Sequence, residues 1–129
     1  MIVEMPTSQS ALSGAPFALP DPPADTDLVA KYFRALGDAT RLRLLELLAE
    51  EELSVGELVA RVRRPQPRVS EHLACLRWCG FVTSRREHRT IYYRAADDRV
   101  ASLIATARGL LEDNAEHVAA CRRIDAKEC

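Results

Sequence analysis

From residue 25 onward, apolar positions recur at helical spacing through four segments, switch to a period of two, and then return to helical spacing. "DTDLVAKYFRALGD" places Leu28, Tyr32, Phe33 and Leu36 on one stripe, with acids at its start and Gly37 at its end. "DATRLRLLELLAEEEL" sets Leu42, Leu45, Leu48 and Ala49 at the same spacing, with Asp38 or Thr40 available as the N-cap. "SVGELVARVRR" predicts a shorter helix opened by a capping box, Ser54 with Glu57 three residues on. Pro65 and Pro67 interrupt the pattern, but a helix tolerates proline in its first turn. "QPRVSEHLACLRWCG" therefore predicts a helix from about Gln66, apolar at Val69, Leu73 and Leu76 and stopped by Gly80. In "FVTSRREHRTIYYRA", Val82 and Ser84, then Ile91 and Tyr93, alternate around a basic turn, which predicts a hairpin over 81–95. "DDRVASLIATARGLLEDNAEHVAACRR" predicts one long amphipathic helix, apolar at Val100, Leu103, Ile104, Ala107, Leu110, Leu111 and Val118.

Four helices, a basic hairpin and a final helix make a mainly α chain with a two-stranded β wing, the order of a winged helix-turn-helix domain. The helix at 66–79 is then the recognition helix and 81–95 the wing. Charge changes this from a fold expectation into a functional one. Residues 61–94 hold nine arginines against Glu71 and Glu87, a local charge of +7, while the rest of the chain carries −8. Such segregation aims one face at a polyanion. In a recognition helix the first turns meet base edges, which singles out Gln66, Arg68, Ser70 and Glu71. Arg85, Arg86 and Arg89 on the wing are placed to grip phosphate or the minor groove. His88 sits in the same turn.

Composition sets the remaining bounds. The 129 residues suit one domain. Residues 1–24 contain five of the seven prolines and little to bury, so they are expected to be a disordered tail. The domain is expected over 25–121, with a flexible tail over 122–129. No apolar run reaches the roughly eighteen residues of a membrane span, and the N-terminus lacks the basic start of a secretory signal. A cytoplasmic protein is expected, whose cysteines are free thiols, metal ligands or redox groups rather than structural disulfides. No nucleophile–base pair or phosphate-cradling glycine loop appears, so neither an enzyme nor an organic cofactor is expected.

The blocks "FRALGDATRLRLLELL", "SVGELVARV", "QPRVSEHLACLRWCGFV" and "RREHRTIYYRA" resemble the ArsR/SmtB family of metal-responsive repressors over about residues 28–120. The resemblance implies a homodimer built from the first and last helices, here Leu28, Tyr32, Phe33, Leu103, Ile104, Leu110 and Leu111. It also implies a palindromic double-stranded operator that is released when an inducer binds. Pro67 stands where relatives often carry a hydroxyl, so one expected DNA contact is missing. The thiol pair that many relatives carry in the third helix is absent, since Ser54 and Gly56 occupy those places. A carboxylate–histidine site along the last helix is not supported by Asp97, Asp98, Glu116 and His117, which lack the required spacing.

Cys75 and Cys79 remain. At i, i+4 they share a helical face with Cβ atoms about 6 Å apart, close enough to reach one ion. "LACLRWCGFV" resembles the CmtR-like, cadmium- and lead-sensing branch, which implies a third thiolate from the C-terminal region of the other subunit. Cys121 stands in a comparable position, and Cys129 is its alternative. Three thiolates select thiophilic ions, Cd(II), Pb(II) or Hg(II), over hard cations. Two other readings stay open: the cysteines as redox switches on a DNA-binding regulator, or a thiol metal buffer without DNA function. The buffer leaves the arginine-rich segment unexplained.

Overall fold

A computed structural model describes residues 24–125. The expected disordered tail, apart from Ala24, and residues 126–129 with Cys129 lie outside the described residues. The chain runs α1 (Asp25–Leu36), α2 (Ala39–Glu50), β1 (Leu53–Ser54), α3 (Val55–Val62) and α4 (Gln66–Trp78). It continues through β2 (Val82–Glu87), β3 (Thr90–Ala95), α5 (Arg99–Glu112), α6 (Ala115–Ala120) and α7 (Arg122–Asp125). This is the expected winged helix-turn-helix, with one strand more than the periodicity predicts.

Local chemistry sets the element ends. Asp38 caps α2, its carboxylate accepting from the Arg41 N–H at 3.0 Å. The capping box of α3 is complete: the Ser54 N–H donates to Glu57 Oε1 at 2.8 Å, and the Glu57 N–H donates to Ser54 Oγ at 3.2 Å. The recognition helix α4 closes in a Schellman motif. Gly80 adopts φ +83°, its N–H donates to the Arg77 carbonyl, and the Phe81 N–H donates to that of Leu76. Cys79 is therefore the C-cap of α4, one residue past its last regular turn.

β2 and β3 pair antiparallel from Val82↔Ala95 to Glu87↔Thr90, leaving His88 and Arg89 as a two-residue loop. His88 takes the left-handed conformation (φ 59°) that this tight reversal demands. β1 pairs with the far edge of β3, Leu53 opposite Tyr93, giving the order β1-β3-β2. Two residues carry no readable alternation, so β1 escapes sequence reasoning.

The core gathers Leu44, Leu45 and Leu48 of α2, Leu58 of α3, Val69, Leu73 and Leu76 of α4, and Phe81 with Val82 of the wing. Burial divides the residues expected at the dimer face. Ile104 turns inward and belongs to this core, and Leu103 packs against it. Tyr32 lies with its ring centroid 4.3 Å from that of Phe81, within its own chain. Leu28 is half-buried, whereas Phe33, Leu110 and Leu111 stay exposed. Phe33 and Leu111 line an apolar groove of about 350 Å³ with Leu36, Leu42 and Leu103.

The single long C-terminal helix is also corrected. It breaks after Glu112, where Asp113 and Asn114 turn the chain before α6, and breaks again at Cys121. Asn114 caps the break, its N–H donating to the Leu111 carbonyl at 2.9 Å and its side-chain amide to that of Leu110 at 3.5 Å. Asp and Asn compete with helical backbone bonding in this way. Among the described residues, no helix is long and apolar enough to cross a membrane.

Candidate nucleic-acid interface and thiol pair

Val69, Leu73 and Leu76 anchor one side of α4 in the core, which forces the other side outward. Gln66, Arg68, Ser70 and Glu71 are all exposed. Arg63 and Arg64 stand exposed in the turn before them. The wing leaves the same body, with Arg86 and Arg89 exposed and in no ion pair among the described residues. A convex basic helix beside a basic hairpin suits a duplex groove and its flanking phosphates.

Arg85 departs from expectation. Its Nε and Nη2 donate to the two carboxylate oxygens of Glu52, each at 2.8 Å, and its Nη1 donates to Glu87 Oε1 at 3.1 Å. Its guanidinium carbon also lies 4.7 Å from the Tyr92 ring centroid. Hydrogen bonding to Glu52, then to Glu87, raises the Arg85 pKa, and the same bonding pulls the Glu52 carboxyl below its ordinary value. In this arrangement the Arg85 guanidinium is engaged by two carboxylates, unlike those of Arg86 and Arg89.

At the other end of α4, the structure brings Cys75 and Cys79 together. Both are half-buried free thiols one helical turn apart, the Cys79 N–H donating to the Cys75 carbonyl at 3.0 Å. Burial raises the Cys79 pKa, helped by Cys75 and opposed by the positive charges of Lys31 and Arg41. A cavity of about 670 Å³ opens beside Cys79, lined by Tyr32, Asp97, Arg99, Val100 and Leu103. Asp97 is held ionised by Arg99, whose side chain and N–H both donate to it, with its pKa pushed down to about 2.

Cys121, half-buried at the end of α6, does not join the pair within one chain. Among the described residues, no three His, Cys, Asp or Glu side chains converge on a point that could hold an ion. The donor set that one chain assembles is two soft sulfurs with a solvent-open side. That fits a thiophilic ion and leaves its coordination to be completed from elsewhere.

One feature of this region escapes sequence reasoning. Arg41 donates through Nε to the Ala35 carbonyl and through Nη2 to that of Arg34 at 3.4 Å, while Nη1 lies 3.2 Å from His72 Nδ1. Asp38 faces the other ring nitrogen of His72 at 3.9 Å. This network ties the end of α1 and the start of α2 to the recognition helix, one turn before Cys75. In "DATRLRLL" Arg41 reads as a solvated position, because nothing in helical periodicity marks a side chain that folds back onto the preceding helix.

Comparison with known proteins places this geometry in context. The pattern of the bacterial regulatory protein arsR family matches residues 38–84, from the cap of α2 into β2. A mercury resistance operon repressor from Streptomyces lividans, so named as probable, is 42% identical over 114 residues, covering 88% of this chain and 91% of that one. The crystal structure of Rv0081 from Mycobacterium tuberculosis superposes with a TM-score of 0.67 at 35% identity, over 74% of this chain and 96% of that one. The solution structure of a homodimeric winged helix-turn-helix DNA-binding domain, Mb0332 from Mycobacterium bovis, gives 0.64 at 32% identity, over 74% and 93%. Identity of this extent, on the same helices and wing, leaves one conclusion: the chain belongs to the ArsR family of bacterial regulatory proteins and is a winged-helix, DNA-binding transcription regulator rather than an enzyme.

Proposed function

We propose that this protein is a cytoplasmic, homodimeric repressor that holds operator DNA until a thiophilic heavy-metal ion, Cd(II), Pb(II) or Hg(II), is captured by Cys75, Cys79 and Cys121 of the partner subunit. The observation that carries the reading is the position of the thiol pair, two half-buried free cysteines one turn apart at the C-terminal end of the recognition helix, with a cavity beside Cys79. The resemblance to a mercury resistance repressor supports it independently.

The chain's own groups account for release. Capture requires Cys75, Cys79 and the partner subunit's Cys121 as thiolates, so three protons leave and a divalent ion with three thiolates places a net charge of −1 on the helix that must approach phosphate. A third sulfur from the partner subunit restrains that same helix against the other protomer. Both effects disfavour the DNA-bound arrangement, and a coupling of about 1–3 kcal/mol is enough to shift occupancy.

Ultraviolet titration of reduced protein with Cd(II) tests the site. The expected result is a saturable sulfur-to-metal charge-transfer band, lost in Cys75→Ser, Cys79→Ser and Cys121→Ser and kept in Cys129→Ser. Apparent affinity should climb with pH up to the raised Cys79 pKa, because proton release precedes capture. The same samples, bound to a labelled duplex, should release it on addition of Cd(II), Pb(II) or Hg(II). A band indifferent to Cys75 and Cys79 overturns the site; peroxide-driven release without a metal effect favours the redox reading.

A further inference from the structure

The geometry points to Arg85 and Glu52 as a strap that sets the angle of the wing, and so as positioning residues for DNA binding rather than DNA contacts. The inference rests on the reading of the wing as DNA-facing. Its basis is the sheet order β1-β3-β2, which puts Glu52, one residue before β1, and Arg85 of β2 on opposite sides of the central strand. Arg85 is in register with Tyr92, and Tyr92 is also the partner of Ser54 across the other ladder. The Arg85 side chain therefore crosses over the Tyr92 ring of β3 to reach the Glu52 carboxylate with two bonds of 2.8 Å.

The strap has a mechanical role to fill. A two-stranded hairpin is marginal alone, and β1 contributes only two residues to support it. The distal half of β2 is exposed and has no core beneath it. The fork of Arg85, matched to a carboxylate and resting on an aromatic face, fixes direction as well as distance. Arg86, the next residue, lies on the opposite face of the strand and pairs with Ile91, and Arg89 follows at the loop. Orientation of these two free arginines then depends on a junction 33 residues upstream.

A sign test separates a strap from a restrained DNA contact. The probe is a fluorescein-labelled duplex selected from a random pool by the wild-type protein, followed by anisotropy over a salt series. Removal of a carboxylate near a polyanion strengthens binding on electrostatic grounds alone, and freeing Arg85 for phosphate would steepen the salt dependence. A strap predicts the reverse for Glu52→Gln: affinity falls about fivefold, with the slope of log affinity against log salt unchanged. Arg85→Ala should match it, and adding the second substitution should cost nothing more. Arg86→Ala and Arg89→Ala should instead flatten the slope by about 0.9 for each phosphate that is no longer neutralised. The pair is solvent-exposed, so thermal unfolding should barely move in any of these variants. Tighter binding by Glu52→Gln, or a flattened slope in Arg85→Ala, overturns the strap. No effect of Arg86→Ala and Arg89→Ala overturns the DNA-facing wing itself, and the strap with it.

Discussion

Leu44 and Leu110 are the same residue in similar helical surroundings, yet Leu44 is 0% exposed and Leu110 is 68% exposed. The contrast extends to two regions. The block from α2 to β3 supplies most of the core, drawing on four elements and the turn before β2 for Leu45, Leu53, Leu58, Leu73 and Phe81, with Ala35 and Leu36 of α1 and Val100 and Ile104 of α5 added at its edge. The pair formed by α1 and the α5–α6 segment shows Val29, Phe33, Leu110, Leu111 and Val118 to solvent. One region buries most of its apolar side chains, and the other leaves an apolar stripe at the surface. The DNA-facing surface and the thiol pair belong to the first region. The expected dimer face belongs to the second.

The strongest way to break this comparison is to damage both regions. Leu73→Ala, in the closed core, should cost about 3 kcal/mol in chemical denaturation, through reduced burial and the cavity left behind. A cost below about 1 kcal/mol would show that the block is not the close-packed unit described. Leu110→Glu should leave secondary structure intact and act on assembly instead. Sedimentation should show the dimer dissociation constant raised at least about thirtyfold, as for a buried interface anchor. Unchanged sedimentation would place the dimer face elsewhere.

A smaller change sharpens the boundary between the two. Gly80 ends the recognition helix with φ +83°, and a Cβ there would meet nothing within 4 Å. Gly80→Ala should therefore cost only the left-handed backbone penalty, about 1–2 kcal/mol in thermal or chemical denaturation. Because the same cap holds Cys79, the Cd(II) band should weaken as well. A stability loss with an unaffected band would uncouple the thiol pair from the cap.

The block from α2 to β3 is largely legible in the sequence because its signals are local. Ser54 and Glu57 read as a capping box and form one, Asp38 caps α2, and Gly80 ends the helix that Val69, Leu73 and Leu76 predict. The basic face is legible too, since burying those three residues leaves Gln66, Arg68, Ser70 and Glu71 only one side to occupy. Cys75 and Cys79 share one face because four residues make about one helical turn. Where reasoning fell short, the deciding contact was distant. Arg85 reads as one basic residue among several until β1 is found on the far side of β3 with Glu52 ahead of it.

What the sequence determined alone is the order of the first four helices and the hairpin, the caps that Asp38, Ser54 and Gly80 supply, the winged-helix class and the concentration of arginine on one stretch. Each follows from interactions within a few residues, whose geometry periodicity and capping chemistry dictate. Tertiary structure decided the rest: that Ile104 of α5 turns inward, that Tyr32 packs on Phe81, that the last helix breaks at Asn114, and that Arg85 pairs with Glu52. These outcomes depend on which surfaces arrive opposite one another once the chain folds. A side chain's partner across 33 or 49 residues is set by that arrival, and no local pattern encodes it.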